Sequence, residues 1–208
     1  MPRGVELDVE SDWGAAVLAT RLVGDFNADN ALAVLAILLV GGVSFQAARR
    51  VLGECTAPPG RMEVFGAEAG APLVIVDYAH TPDAISTALK ALRPHVMGRI
   101  VIVFGAGGDR DRTKRPLMGL AAAESADVRI VTDDNPRSED PSSIRAAILQ
   151  ACPGAIEVGD RAEAILTAQA GRRRLEGMIT PNDSLAPALR VLLDTLAALP
   201  APVADLVL

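Results

Sequence analysis

The chain has 208 residues, of which 50% are hydrophobic and 22% charged, with a net charge of -6 and a pI near 5.0. A chain of this kind is globular and soluble, with enough apolar material for one domain and part of a second, and its acidic balance argues against nucleic acid as a partner. Cys55 and Cys152 follow no metal-ligand spacing and fit a reduced, cytoplasmic setting, while the amino terminus lacks the apolar core of a signal peptide.

In chain order, residues 1–23 read as strand-like pieces, Ala15 to Val23 among them. The polar turn Gly24-Asp25-Phe26-Asn27-Ala28-Asp29-Asn30 is expected to cap a helix starting near Ala31, with asparagine accepting backbone N–H groups. The helix is apolar from Ala31 to Val40 and is expected to be buried; a membrane span would need roughly 20 such residues. Gly41-Gly42 ends it, and Ser44 can cap a second short helix through Leu52, with Gly53 as its stop. Thr56-Ala57-Pro58-Pro59-Gly60 reads as a linker and a domain boundary.

Beyond the linker, strands and helices alternate. Met62 to Gly66 and Leu73 to Val76 read as strands, followed by a helix capped by Thr81, opened by Pro82, faced by Ile85, Ala88, Leu89 and Leu92, and stopped by Pro94. A strand at Ile100 to Phe104, a helix around Pro116 to Ser125, a strand at Val128 to Val131 and a helix capped by Asp140 come next. This order predicts an α/β fold with a parallel sheet in three layers. A further helix is expected from Gly159-Asp160 to about Ala170, then loop through Arg172-Arg173-Arg174 and on to Asp183, then a helix over Leu185 to Leu199.

The chemistry gathers after the strands. In open α/β sheets the carboxyl ends of the strands are where ligands sit. Gly105-Ala106-Gly107-Gly108 is not a dinucleotide fingerprint, because the third glycine would fall at Arg110. A plain turn would not need the cations that follow it. Arg110 is the foremost candidate for a substrate carboxylate, which a guanidinium meets with paired hydrogen bonds. Asp134-Asn135-Pro136-Arg137 combines a group for an ammonium with one for a carboxylate, as an amino-acid ligand needs. Asp77-Tyr78-Ala79-His80 places an acid and a histidine before a helix start, where anions are favoured. No lysine follows a glycine in the chain, so none of it can serve as a Walker motif.

Five of these stretches, at 24–30, 59–63, 77–83, 107–116 and 133–137, resemble the Mur ligases in order and spacing. The resemblance runs from about Gly24 to Ala164. It implies a Rossmann-like carboxy-terminal domain preceded by the end of a central ATPase domain: residues 1–57 as that remnant, 58–170 as the amino-acid-binding domain and 171–208 as a divergent tail. It further implies an amide ligase that uses ATP and Mg2+ through an acyl phosphate to extend a UDP-muramoyl dipeptide in peptidoglycan synthesis. Asn27, Asn30, Arg61, Asp77 and His80 match positions near the nucleotide. Arg110, Asp134, Asn135, Pro136 and Arg137 match the amino-acid site, in a form resembling members that use meso-diaminopimelate.

The sequence departs from the family's pattern as well. The UDP-binding domain, the P-loop and the carbamylated lysine are missing, and residues 171–183 hold no Gly-Lys-Gly-His-Glu motif. The resemblance is therefore to a truncated ligase with an altered tail, as a frameshift or a gene fragment would produce, expected not to turn over alone; a separate chain supplying the missing domains is left open. Two alternatives stand beside it. One is a non-catalytic module that binds diaminopimelate or docks onto a ligase. The other is a folylpolyglutamate synthetase relative, disfavoured because Asp-Tyr-Ala-His-Thr stands where those proteins carry Asp-Gly-Ala-His-Asn.

Overall fold

The computed structural model describes residues 4–65, 73–96 and 98–175. The expected loop at 177–183 and helix at 185–199 lie outside these residues.

Strands β1 (Glu6–Ser11) and β2 (Gly14–Ala19) form an antiparallel hairpin with Glu6 opposite Ala19. Helix α1 (Phe26–Val40) starts five residues earlier than the asparagine-cap expectation places it. Asn27 and Asn30 sit inside its first turns and act as donors: Asn27 Nδ2 reaches Val23 O at 2.8 Å, and Asn30 Nδ2 reaches Asn27 Oδ1 at 3.0 Å. The expected burial is also one-sided. Ala31, Leu35 and Leu39 are buried against the hairpin and α2 (Phe45–Glu54), whereas Ile37 is 70% and Val40 78% exposed. Ser44 caps α2 as expected through Ala47 N, but the helix runs past Gly53 and ends at Cys55.

Beyond the linker, β3 (Glu63–Phe65) and β4 (Val74–Val76) pair antiparallel, so the all-parallel expectation fails for these two strands. Thr81 caps α3 (Pro82–Leu92), its Oγ1 accepting from Ala84 N, and a single 3-10 turn over Arg93–His95 follows. From there the chain alternates as expected: β5 (Val101–Phe104), α4 (Lys114–Ser125), β6 (Val128–Val131), α5 (Pro141–Leu149), β7 (Ile156–Glu157) and α6 (Arg161–Leu175). These last three strands form a parallel sheet in the order β5-β6-β7. Arg172, Arg173 and Arg174 continue the α6 backbone and do not form a loop.

Successive strand residues point to opposite faces, and the sheet uses both. Ile102, Phe104 and Val131 face a core built with Ile85 and Leu89 of α3, Met118 and Ala122 of α4, and Ile144 and Ile148 of α5. Val103 and Ile130 face the other way, onto Ala164 of α6. The result is helix, sheet, helix: the three layers the alternation predicts. Gly119 permits the close approach of α4 to α5, since a Cβ there would lie 2.3 Å from Ile148 O.

Two observations join the amino-terminal elements to this core. Val23 belongs to the same buried cluster as Ile85, and a Cβ on Gly24, which has φ +96°, would meet the Ala91 Cβ at 3.1 Å. The start of α1 is thereby held beside α3.

Candidate functional site

Because β5 and β6 are parallel neighbours in register, Phe104 opposite Val131, their following loops leave the sheet side by side. They are then fastened to each other. Gly108 N donates to Asn135 O at 2.8 Å, and a Cβ at Gly108 would fall 1.8 Å from Pro136 O, so only glycine fits. The Asp109 carboxylate accepts Ser138 Oγ at 2.6 Å and Ser138 N at 3.3 Å, while Asp109 N donates to Glu139 Oε1 at 2.7 Å. Asp109 and Arg137 both take the left-handed backbone, at φ 52° and 51°, an uncommon conformation for such residues outside tight turns.

Between the loops and the start of α3 lies an open hollow of about 750 Å³. Its lining includes His80, Arg110, Asp134, Asn135 and Arg137 among the expected site residues, together with Lys114 and Tyr78. Arg110 and Arg137 therefore share one hollow. Among the described residues neither guanidinium has a hydrogen bond or ion pair, so two cations face the hollow uncommitted, while the charge of Lys114 is felt by Asp111. Asp134 supplies the opposite sign, with Oδ1 already accepting Asn135 N at 2.6 Å. Asp111 is engaged locally: the Thr113 hydroxyl and N–H bind its carboxylate and hold its pKa below the usual value.

The other expected residues are placed differently. Asn27, Asn30, Arg61, Asp77 and Pro136 do not line the hollow. Arg61 lies over the Tyr78 ring, 4.6 Å from its centre, and the His80 ring meets Tyr78 edge-on at 4.7 Å. His80 Nδ1 is also 2.9 Å from Tyr78 O. Asp77 Oδ2 accepts Met62 N at 2.8 Å. Burial pushes the Asp77 pKa up, against the N–H groups of Met62 and Ala79 and the charge of Arg61.

Sequence reasoning did not find Glu139. Its side chain, only 9% exposed, takes Arg115 in a two-pronged pair and Arg112 at 3.0 Å, with Arg115 itself 5% exposed. These partners, Arg115 first, hold the Glu139 carboxyl down to about 2. An acid two residues past Arg137, facing the cations of the preceding loop, is the signal that was there to read; only the pairing of β5 with β6 brings it across.

Among the described residues no group of three or more His, Cys, Asp or Glu side chains gathers to hold a metal ion, and no helix is long and apolar enough to cross a membrane.

A parallel α/β sheet with paired polar loops at its carboxyl edge defines the class, an α/β domain whose charged residues gather at the strand tips, the edge where open sheets of this kind bind ligands. The particular family is shown by comparison. The model of the Mur ligase family's glutamate ligase domain matches residues 60–183, and the chain belongs to that family. It is 49% identical over 169 residues to the UDP-N-acetylmuramoyl-L-alanyl-D-glutamate--2,6-diaminopimelate ligase of Caulobacter vibrioides, covering 81% of this chain and 35% of that protein. With the ligase of the same name from Alkalilimnicola ehrlichii it shares 52% over 153 residues, covering 74% of this chain and 30% of the relative. The chain thus spans about a third of the length of these curated relatives. A solved structure of such a diaminopimelate ligase superposes with a TM-score of 0.56 at 41% identity, covering 77% of this chain and 33% of that one. Folylpolyglutamate synthase from Mycobacterium tuberculosis superposes at 0.66, but at 24% identity this likeness concerns the fold alone.

Proposed function

We propose that the hollow between the β5 and β6 loops holds meso-diaminopimelate, and that this chain is the amino-acid-presenting part of a ligase that joins it to UDP-N-acetylmuramoyl-L-alanyl-D-glutamate. The observation that carries the reading is the pair of unpartnered guanidinium groups, Arg110 and Arg137, on one hollow with Asp134. A diamino diacid presents carboxylates for the arginines and an ammonium for Asp134. Asn135 and Pro136 complete the loop: the Asn135 carbonyl ties it to Gly108, and the fixed φ of proline leads into the left-handed turn at Arg137.

The chain's own contribution to ligation is positional. An attacking amine has to be neutral, so the residues here grip the far carboxylate and ammonium and leave the reacting nitrogen without a proton donor. Holding the nucleophile in one orientation replaces part of the entropy cost of the encounter. The relatives' names support the choice of amino acid, and the parting of residues 1–57, 58–170 and 171–208 into central-domain remnant, amino-acid domain and tail follows from the same reading.

Arg61, Asp77 and His80, with Asn27 and Asn30 on α1, are assigned to ATP by the family resemblance, although His80 also lines the hollow. Arg61 fits that role, since its guanidinium rests on Tyr78 and its charge also reaches Asp77. The two asparagines fit less fully, because Asn27 Nδ2 and Asn30 Nδ2 are already bonded within the turn. ATP supplies activation of the acceptor carboxylate, with Mg2+ shielding its phosphates. These tasks fall to the part of the ligase that this sequence, with no Walker motif, does not span. A cytoplasmic location suits those substrates.

Calorimetry with meso-diaminopimelate tests the site. Binding by the chain that weakens at least tenfold in Arg137→Ala is expected, and binding indifferent to that substitution overturns the assignment. Phosphate release with the dipeptide, ATP, Mg2+ and diaminopimelate tests the rest. Robust turnover by the chain alone would overturn the proposal that it needs complementing domains.

A further inference from the structure

The hollow's two free guanidiniums need something to hold them at one spacing, because each sits on a loop whose neighbouring residue adopts a strained backbone or adopts it itself. Arg110 follows Asp109 (φ 52°), and Arg137 is at φ 51°. A left-handed turn in a non-glycine residue persists only when its surroundings enforce it. Beside the Gly108–Asn135 and Asp109–Ser138 bonds, several of the holding contacts meet at one carboxylate. Glu139 Oε1 accepts from Asp109 N and Arg115 Nη2, both at 2.7 Å, and Oε2 accepts from Arg115 Nη1 at 3.1 Å and Arg112 Nη2 at 3.0 Å. Glu139 therefore grips the residue before Arg110 while standing two residues after Arg137.

We infer that Glu139 is a positioning residue for the amino-acid site: without touching the ligand, it fixes the separation of Arg110 and Arg137 and so selects an amino acid with a second carboxylate. This rests on the reading of the hollow as a diaminopimelate site. Arg115 is the natural anchor for such a brace. It is buried at the start of α4, and its guanidinium geometry matches a carboxylate in two parallel bonds. Arg112, 73% exposed, adds charge without rigidity.

The test compares Glu139→Gln with the unaltered chain and with Ser138→Ala, which removes only the exposed hydroxyl on Asp109. Amide hydrogen exchange is measured on the ligand-free proteins, and meso-diaminopimelate and L-lysine are titrated in turn. Glu139→Gln is expected to speed exchange at Asp109 N at least tenfold while Ile130 and Val131, in the buried sheet, remain protected. It is also expected to lower the preference for diaminopimelate over lysine about tenfold, and Ser138→Ala to give a smaller change of the same kind. Unchanged exchange at Asp109 overturns the brace, whatever the ligand does. Faster exchange with unchanged preference also overturns the positioning role, leaving Glu139 a structural residue. Failure of the unaltered chain to bind diaminopimelate overturns the site reading and the selectivity drawn from it, and the exchange result separates that outcome from the first.

Discussion

The Arg115 guanidinium meets the Glu139 carboxylate with two hydrogen bonds, Nη2 2.7 Å from Oε1 and Nη1 3.1 Å from Oε2, and this pair joins α4 to the loop that carries Arg137. The Glu139 carboxyl falls from an ordinary 4.5 to about 2 in the folded chain, so protons bind the unfolded state more readily. The stability it contributes is whole above about 4.5 and is lost as pH falls toward about 2. Denaturant titrations of the chain and of Glu139→Gln are therefore expected to differ most at neutral pH and to converge as pH drops through that window. A constant difference down to the lower limit would contradict the pair as its source.

Asp77 has the opposite sign. Burial raises its pKa above 3.8, so the folded chain holds the proton more tightly, and stability from this group is greatest below that value and declines as pH rises through the raised one. In Asp77→Asn the side-chain oxygen can still accept Met62 N, while the buried charge is gone. At pH 7 this variant is expected to be at least as stable as the unaltered chain, with the gap closing in acid. A clear loss of stability at pH 7 would mean that Arg61 and the two N–H groups outweigh burial.

The sequence made the outer frame of this fold readable where one local signal sufficed. Thr81 before Pro82 and Asp140 before Pro141 mark helix starts by a side chain that can accept the third residue's N–H, and both do so. Val128 to Val131 reads as a strand because four residues of mostly apolar, β-branched character stand between a helix end and a charged loop. Asn27 and Asn30 misled for an equally local reason. An asparagine can donate as well as accept, and here Val23 O draws Asn27 into the helix. The antiparallel β3 and β4 pair could not be read, because two short apolar runs carry no record of their relative direction. Arg110 and Arg137 were legible as charges at the tips of two buried strands, and a pocket built from both loops followed from the place of ligands at the carboxyl edge of such sheets; both residues do line one hollow. The contact of Glu139 with the preceding loop depends on strand neighbours that no local signal records.

Helix capping offers a paired comparison. Asp140 Oδ2 accepts Ser143 N at 2.9 Å and the Ser142 hydroxyl, whereas Asp25, at the start of α1, has helical backbone angles and no side-chain cap bond. Asp140→Ala is expected to cost about 1 kcal/mol of stability. Asp25→Ala is expected to stay within about 0.5 kcal/mol. Thermal or denaturant unfolding of the two variants measures the difference, and equal effects would show that the hydrogen bond is not what sets the cost.

The outer side of α1 makes the last comparison. Every residue from Ala31 to Val40 is apolar, and a helix apolar all round is ordinarily covered on all sides, yet Ile37 and Val40 are 70% and 78% exposed here. Their side chains add no burial to the cluster of Leu35, Leu39 and Phe45 beneath. Lysine at both positions keeps good helix propensity and a long stem while replacing the exposed apolar tips with charge. The double variant Ile37→Lys, Val40→Lys is expected to unfold within about 1 kcal/mol of the unaltered chain, because surface changes away from packed contacts are small. It is expected to bind less of an apolar-surface dye and to stay soluble at higher concentration, since the exposed apolar patch is what promotes association. A large loss of stability instead would place these two side chains inside a packed contact that the isolated chain already makes.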